Sequence, residues 1–149
     1  MEKIKKLREK TGAGVMDIKR ALDEAKGDEK KAEKILKARG IEIVEKKASR
    51  ATSQGLIDSY LHFGKIGVLV EVNCETDFVA RNEDFKKFVH EITLQVAQSD
   101  AKTVEELLKE EYFKEPGTTV DDLLKSIIAK IGENIRITRF VKFILGEGK

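Results

Sequence analysis

A single cysteine, Cys74, stands among the 149 residues, so no disulfide can form within the chain, and a lone thiol fits a reducing compartment. Histidine is almost as scarce. His62 and His90 lie too far apart in sequence to form a metal pair on one helix, and Cys74 has no second cysteine nearby, so no metal site is expected. Neither sign of charge is in excess: 29 lysines and arginines against 27 aspartates and glutamates leave a formal net charge of +2, which gives no electrostatic footprint for nucleic acid. No stretch has the length of a membrane span, and the opening MEKIKKLREK lacks an apolar core of signal-peptide length. These absences predict a soluble, cytoplasmic protein without membrane attachment.

What is present is 40% apolar residues, enough for one moderate core or for a small domain beside a larger one. Residues 1–40 read as three short amphipathic helices. Ile4 and Leu7 form a stripe that stops at Thr11-Gly12-Ala13-Gly14, and Val15, Ile18, Ala21, Leu22 and Ala25 recur at helical spacing up to a capping Gly27. Asp28 caps a third helix with Ala32, Ile35 and Leu36 on its apolar face, and Gly40 is its expected end. Residues 41–54 are rich in lysine, glutamate and alanine and read as a charged helical linker.

From Gly55 the period becomes two. Ile57, Ser59, Leu61 and Phe63 alternate with Asp58, Tyr60 and His62; Gly64-Lys65 turns the chain; Ile66, Val68, Val70 and Val72 alternate again, which predicts a hairpin with one apolar face. Phe85, Phe88, Val89, Ile92 and Val96 mark a helix capped by Asn82, with Glu83 and Asp84 in its first turn. Thr103 with Glu106, and Thr119 with Asp122, fit capping boxes on either side of a Pro116-Gly117 turn. Val120, Leu123, Leu124, Ile127, Ile128 and Ile131 continue the second helix. Ile135, Ile137, Val141, Phe143 and Leu145 read as a long strand with a bulge near Arg139 and Phe140. The 55–149 region is therefore expected to be an α+β core, a small antiparallel sheet packed with helices.

No catalytic constellation emerges, and the chain is not expected to be an enzyme. TGAGVMD carries a glycine pair but lacks the Lys-Ser/Thr of a phosphate loop and follows a helix, so neither direct nucleotide binding nor a cofactor is expected. No nucleophile elbow supports a Ser-His-Asp arrangement. The least ordinary stretch is CETDFVARNEDF, Cys74–Phe85, which places Phe78 in a loop ringed by charges. Either Phe78 anchors that loop on the sheet while Asp77 caps a short turn, or the segment binds something.

LREKTGAGVMDIKRALDEAKGD, EVNCETDFVARN and AKIGENIRI, in that order, resemble the elongation factor Ts family. The resemblance implies an N-terminal three-helix domain of the ubiquitin-associated kind, an α+β core, and exchange of guanine nucleotide on elongation factor Tu. It also implies that Thr76, Asp77, Phe78 and Val79 approach that partner's magnesium and phosphate site, where the aromatic ring disturbs magnesium coordination and GDP leaves. Ile131 and Gly132 would add contacts near that site, and Val15 and Met16 would dock on the partner's nucleotide domain. The pattern departs from the family in one place. Familiar members insert a helical segment or a second α+β subdomain where this chain has only QSDAKTVEELLKEEYFKEPGTT, so a single core is expected, and dimer contacts known in some members do not carry over. Monomer and dimer both remain open. The competing expectation is a ubiquitin-associated-like adaptor without exchange activity.

Overall fold

The computed structural model describes residues 1–148. Along them run α1 (Glu2–Thr11), α2 (Val15–Glu24), α3 (Glu29–Lys47), β1 (Gln54–His62), β2 (Ile66–Cys74), α4 (Asp77–Ala80), α5 (Glu83–Gln98), α6 (Val104–Lys109), α7 (Val120–Ile131) and β3 (Ile135–Ile144). The class is α+β, with an N-terminal helical region and an antiparallel sheet of order β1-β2-β3. Two compact units divide the chain: Met1–Ser49 together with Lys125–Glu133, and Arg50–Leu124 together with the segment from Asn134.

The helical unit buries Leu7, Ile18, Ala21, Ala25, Ala32 and Leu36, with Ile4, Leu22 and Ile35 packed around them. These are the apolar positions the helical spacing selects. The Asp28 carboxylate caps α3 by accepting the Lys30 and Lys31 backbone N–H groups at 3.0 and 3.2 Å. Gly40 does not end the helix as expected; α3 continues to Lys47, so the segment expected as a charged helical linker is helical in its first part but runs on from the third helix without a break. A glycine inside a helix costs only about 1 kcal/mol, too little to stop α3, and α7 passes beside it: a Cβ on Gly40 would make an ordinary van der Waals contact, 3.6 Å, with the Ala129 Cβ. The end of α7 belongs to this unit, a membership no local sequence signal announces.

In the second unit β1 pairs with β2 from Gln54–Cys74 to His62–Ile66. Val68, Val70 and Val72 are buried under α5, and their cross-strand partners Tyr60, Asp58 and Leu56 must share that face. The expected assignment for β1 is therefore reversed. Ile57 and Leu61 point to the opposite, open face, and Phe63 lies in the turn with φ 50°. Asp58 is accommodated on the helix side because His90 Nδ1 of α5 sits 3.0 Å from its carboxylate.

The strand β3 carries its bulge one residue earlier than expected. Glu71 pairs with Arg139 and Val72 with Ile137, which leaves Thr138 as the extra residue. One inserted residue reverses the side-chain phase. Ile135 and Ile137 are buried before the bulge, whereas Val141 and Phe143 lie exposed after it, and Phe140 takes the inner side opposite Val70.

The helix α5 starts as expected, with Asn82 Oδ1 accepting from the Asp84 and Phe85 backbone N–H groups. Its second buried face is polar. Glu91, Gln95 and Ser99 recur every four residues and hold the Glu110–Lys114 segment. Gln95 donates to the Glu111 carbonyl and accepts the Phe113 N–H at 2.9 Å, while Ser99 Oγ donates to Glu110 at 2.6 Å. The Thr119–Asp122 capping box at the start of α7 is formed in both directions.

Candidate functional site

The CETDFVARNEDF stretch is built from its two ends inward. Cys74 closes β2 and is fully buried. Four residues, Asp77–Ala80, then form the single helical turn α4. Its cap is Thr76, not Asp77: Thr76 Oγ1 accepts the Val79 N–H at 3.3 Å, and Asp77 instead pairs with Arg81 at 2.9 Å. Threonine takes the cap because it stands one residue earlier, in extended conformation, with its hydroxyl aimed at the third N–H of the turn. Asp77 inside the first turn still faces the positive end of the helix.

Val79 and Ala80 fix the turn by burial, and the Asn82 cap of α5 follows at once. Phe78 lies between these anchors and is 81% exposed. It does not anchor the loop on the sheet; Val79 does. The ring is held outward by capped and buried neighbours on both sides, a placement that exposure alone does not single out, since Phe63 in the β1–β2 turn is 84% exposed and Phe143 75%.

Behind α4 lies a set of polar ties among residues distant in sequence. Glu75 Oε2 accepts the Asn134 backbone N–H at 2.6 Å, and Glu75 Oε1 is 3.7 Å from the Arg50 guanidinium. The Asn134 side-chain amide donates to the Arg50 carbonyl at 2.8 Å. Sequence reasoning missed these three residues. Their only signal is Asn134 at the mouth of a strand, because contacts between residues 50, 75 and 134 leave no local periodicity.

The remaining expected contact residues belong to the helical unit. Val15 and Met16 open α2 directly after Gly14 and are both exposed; Met16, 61% exposed, lies on the side away from buried Ile18 and Ala21, whereas Val15 stands at the uncovered end of the Ile18 side. Ile131 ends α7, and Gly132, at φ +88°, closes it with its N–H on the Ile128 carbonyl. The turn before Val15 packs near that end, since a Cβ on Gly12 would meet the Lys130 stem at 3.2 Å. Thr76, Asp77, Phe78 and Val79 stand together in the α+β unit, while Val15, Met16, Ile131 and Gly132 stand in the helical one.

Ionisable groups elsewhere serve structure. His62 Nδ1 meets the Tyr60 hydroxyl at 2.8 Å, and His90 meets Asp58. Among the described residues no three His, Cys, Asp or Glu side chains gather as a metal site, and no helix is long and apolar enough to cross a membrane. Glu91 is buried, which raises its carboxyl's pKa, but donors from Lys114 at 2.7 Å and Tyr112 at 3.0 Å outweigh burial and hold it below the usual range. Burial, followed by the hydrogen bond to Glu91, pushes the Tyr112 hydroxyl well above its ordinary range.

Comparison with known proteins gives a consistent family. Residues 75–148 match the family model described as Elongation factor TS. The chain is 44% identical over 192 aligned positions to Elongation factor Ts of Synechococcus sp. (strain JA-2-3B'a(2-13)), covering 97% of this chain and 74% of that protein. It is 42% identical over 191 positions to that of Thermoanaerobacter sp. (strain X514), covering 97% of this chain and 94% of the other. With that of Aquifex aeolicus (strain VF5) the identity is 50% over 149 positions, covering 96% of this chain but 51% of the relative. The first two alignments are longer than the 149-residue chain, so those relatives carry residues with no counterpart here.

Proposed function

The chain belongs to the elongation factor Ts family of translation elongation factors, and we propose that it is a guanine-nucleotide exchange factor for elongation factor Tu. The observation that carries this reading is the exposed Phe78 ring on a turn fixed by the Thr76 cap and by buried Val79 and Ala80. In the proposed mechanism the turn of Thr76, Asp77, Phe78 and Val79 approaches the partner beside its magnesium and phosphate site, with Phe78 as the residue that enters it; Val79, expected as a contact, is buried and instead holds the turn from within. The ring displaces groups that support the metal, and GDP loses affinity. Val15, Met16, Ile131 and Gly132 supply further contacts. The chain itself performs no covalent chemistry, binds no nucleotide or nucleic acid, and acts in the cytoplasm.

Exchange of this kind is linkage. A factor that binds the nucleotide-free partner more tightly than the GDP form weakens GDP by the same ratio. Contacts made equally in both states add affinity without shifting that equilibrium, so only a group that GDP or its metal excludes can drive release. An exposed, backbone-fixed aromatic ring suits that role, and the apolar start of α2 suits the other.

Stopped-flow release of labelled GDP from elongation factor Tu tests the reading. Phe78→Ala is expected to slow release at saturating factor by roughly tenfold or more, the effect of losing about 1.4 kcal/mol of differential contact, while its unfolding curve stays close to the parent's. Parental release by the variant overturns the wedge. Binding to the partner without any acceleration by the parent chain would instead favour an adaptor.

A further inference from the structure

We infer that Glu75 is the positioning residue for the Phe78 turn, held by Asn134 and Arg50; the inference rests on the wedge reading above. Glu75 immediately precedes the Thr76 cap, so rotation of the backbone at Glu75 re-aims all of α4. The strand ladders end beside it. Cys74 pairs with Gln54 on one side and with Ile135 on the other. Glu75 and Asn134 stand one step beyond the last β2–β3 pair, and there the 2.6 Å bond from the Asn134 N–H to the Glu75 carboxylate extends the connection by means of a side chain. Asn134 is itself 5% exposed, and its amide reaches the Arg50 carbonyl at 2.8 Å, so the acceptor is met by a donor that is fixed in turn.

Such a support is needed because Phe78 touches little of its own protein. A helix of four residues has no stability of its own. When the ring is pressed into a partner, the turn either resists or rotates, and a turn that rotates loses the contact that distinguishes the two nucleotide states. The Asp77–Arg81 pair cannot supply this resistance, since it joins two largely exposed side chains of the same turn. The Arg50 guanidinium at 3.7 Å is also a loose contact. The 2.6 Å bond from the Asn134 N–H makes that acceptor oxygen the supporting feature of Glu75, and glutamine, which keeps an acceptor there, is expected to replace it.

The test is a double-mutant cycle on the full chain, read by labelled-GDP release at saturating factor and by affinity for nucleotide-free elongation factor Tu. Glu75→Ala is expected to slow release roughly tenfold, the size expected for one charged hydrogen bond, and Glu75→Gln to stay within about twofold. In a Phe78→Ala background Glu75→Ala is expected to add no further slowing, because it acts through the ring. Equal slowing in both backgrounds, no slowing in the parent, or a glutamine variant as slow as alanine overturns the inference. If Glu75→Ala does not keep the parental circular dichroism, Glu75→Met, which keeps most of the stem but removes the acceptor facing the Asn134 backbone N–H, enters the same cycle under the same criteria. A parental release rate for Phe78→Ala alone refutes the wedge, and the role of Glu75 with it; slow Phe78→Ala with additive Glu75→Ala refutes only the latter.

Discussion

Tyr112→Phe removes one oxygen from the seam between α5 and the Glu110–Lys114 segment that follows α6. The Tyr112 hydroxyl donates to Glu91 at 3.0 Å, and the two residues are 7% and 8% exposed, so water cannot substitute for the lost donor. The ring is unchanged and no cavity opens, which leaves the hydrogen bond as the main term. A bond to a charged acceptor contributes about 1.5–3 kcal/mol, and Tm is expected to fall by roughly 3–12 °C. Urea unfolding followed by helix signal measures it, with the midpoint lowered and the slope unchanged. A variant that unfolds at the parental urea concentration refutes the assignment and leaves the segment held by Gln95 and Ser99. The pH dependence gives a second reading. The folded Glu91 carboxyl lies below its ordinary 4.5, so its stabilisation is complete above that value and is lost as pH falls through the lower folded one. Glu91→Gln should flatten that acid limb. The folded Tyr112 lies above its ordinary 10.0, so its contribution is complete below pH 10.0 and is lost only at higher alkalinity. In a Tyr60→Phe chain, ultraviolet titration should show the remaining tyrosine ionising late while the protein stays folded.

Other outcomes follow from single contacts. Met16→Asp, at a position 61% exposed, should leave thermal unfolding within about 0.5 kcal/mol of the parent yet weaken the complex with elongation factor Tu in calorimetry; unchanged affinity removes Met16 from the interface. Gly55→Ala should destabilise the sheet by about 2 kcal/mol or more, because Gly55 sits at φ +151° and a Cβ there would lie 2.1 Å from the Val72 carbonyl oxygen. Parental urea unfolding of that variant would mean that β1 relaxes locally at no cost.

Local signals in the sequence were sound where one segment determines the outcome. The Asn82 cap, the Thr119–Asp122 box, the hairpin and the helical stripe from Ile18 to Ala25 all need only neighbours in the chain, while Val15, expected on that stripe, is left exposed at its start. Faces were harder, because a strand's inner side is chosen by its partner. Ile57 and Leu61 have the right period for a core strand, but the pairing of Asp58 with Val70 turns them outward. The polar stripe Glu91, Gln95 and Ser99 was invisible for a related reason: such residues usually mark a solvated face, and only the arrival of residues 110–114 makes it an inner one. At the candidate site the sequence indicated the segment and its odd phenylalanine. It named Asp77 as the cap where Thr76 takes that place, since both residue types accept the same backbone bond, and no local pattern announced the Glu75–Asn134 tie.

The first compact unit is made of two stretches, Met1–Ser49 and Lys125–Glu133, and that discontinuity has a consequence in time. On a ribosome adding about 5–20 residues per second, roughly 4–17 s pass between the emergence of Ser49 and that of Glu133. The Leu7–Leu36 core can close early, but Gly12 and Gly40 wait for Lys130 and Ala129 to cover them. The helical unit is thus begun first and finished late, with the whole β1–α6 region synthesised in between. A nascent chain arrested before Lys125 should carry a three-helix core whose Gly12–Gly40 side is open to proteases and chaperones, and its protection should rise in a second step once α7 has cleared the exit tunnel.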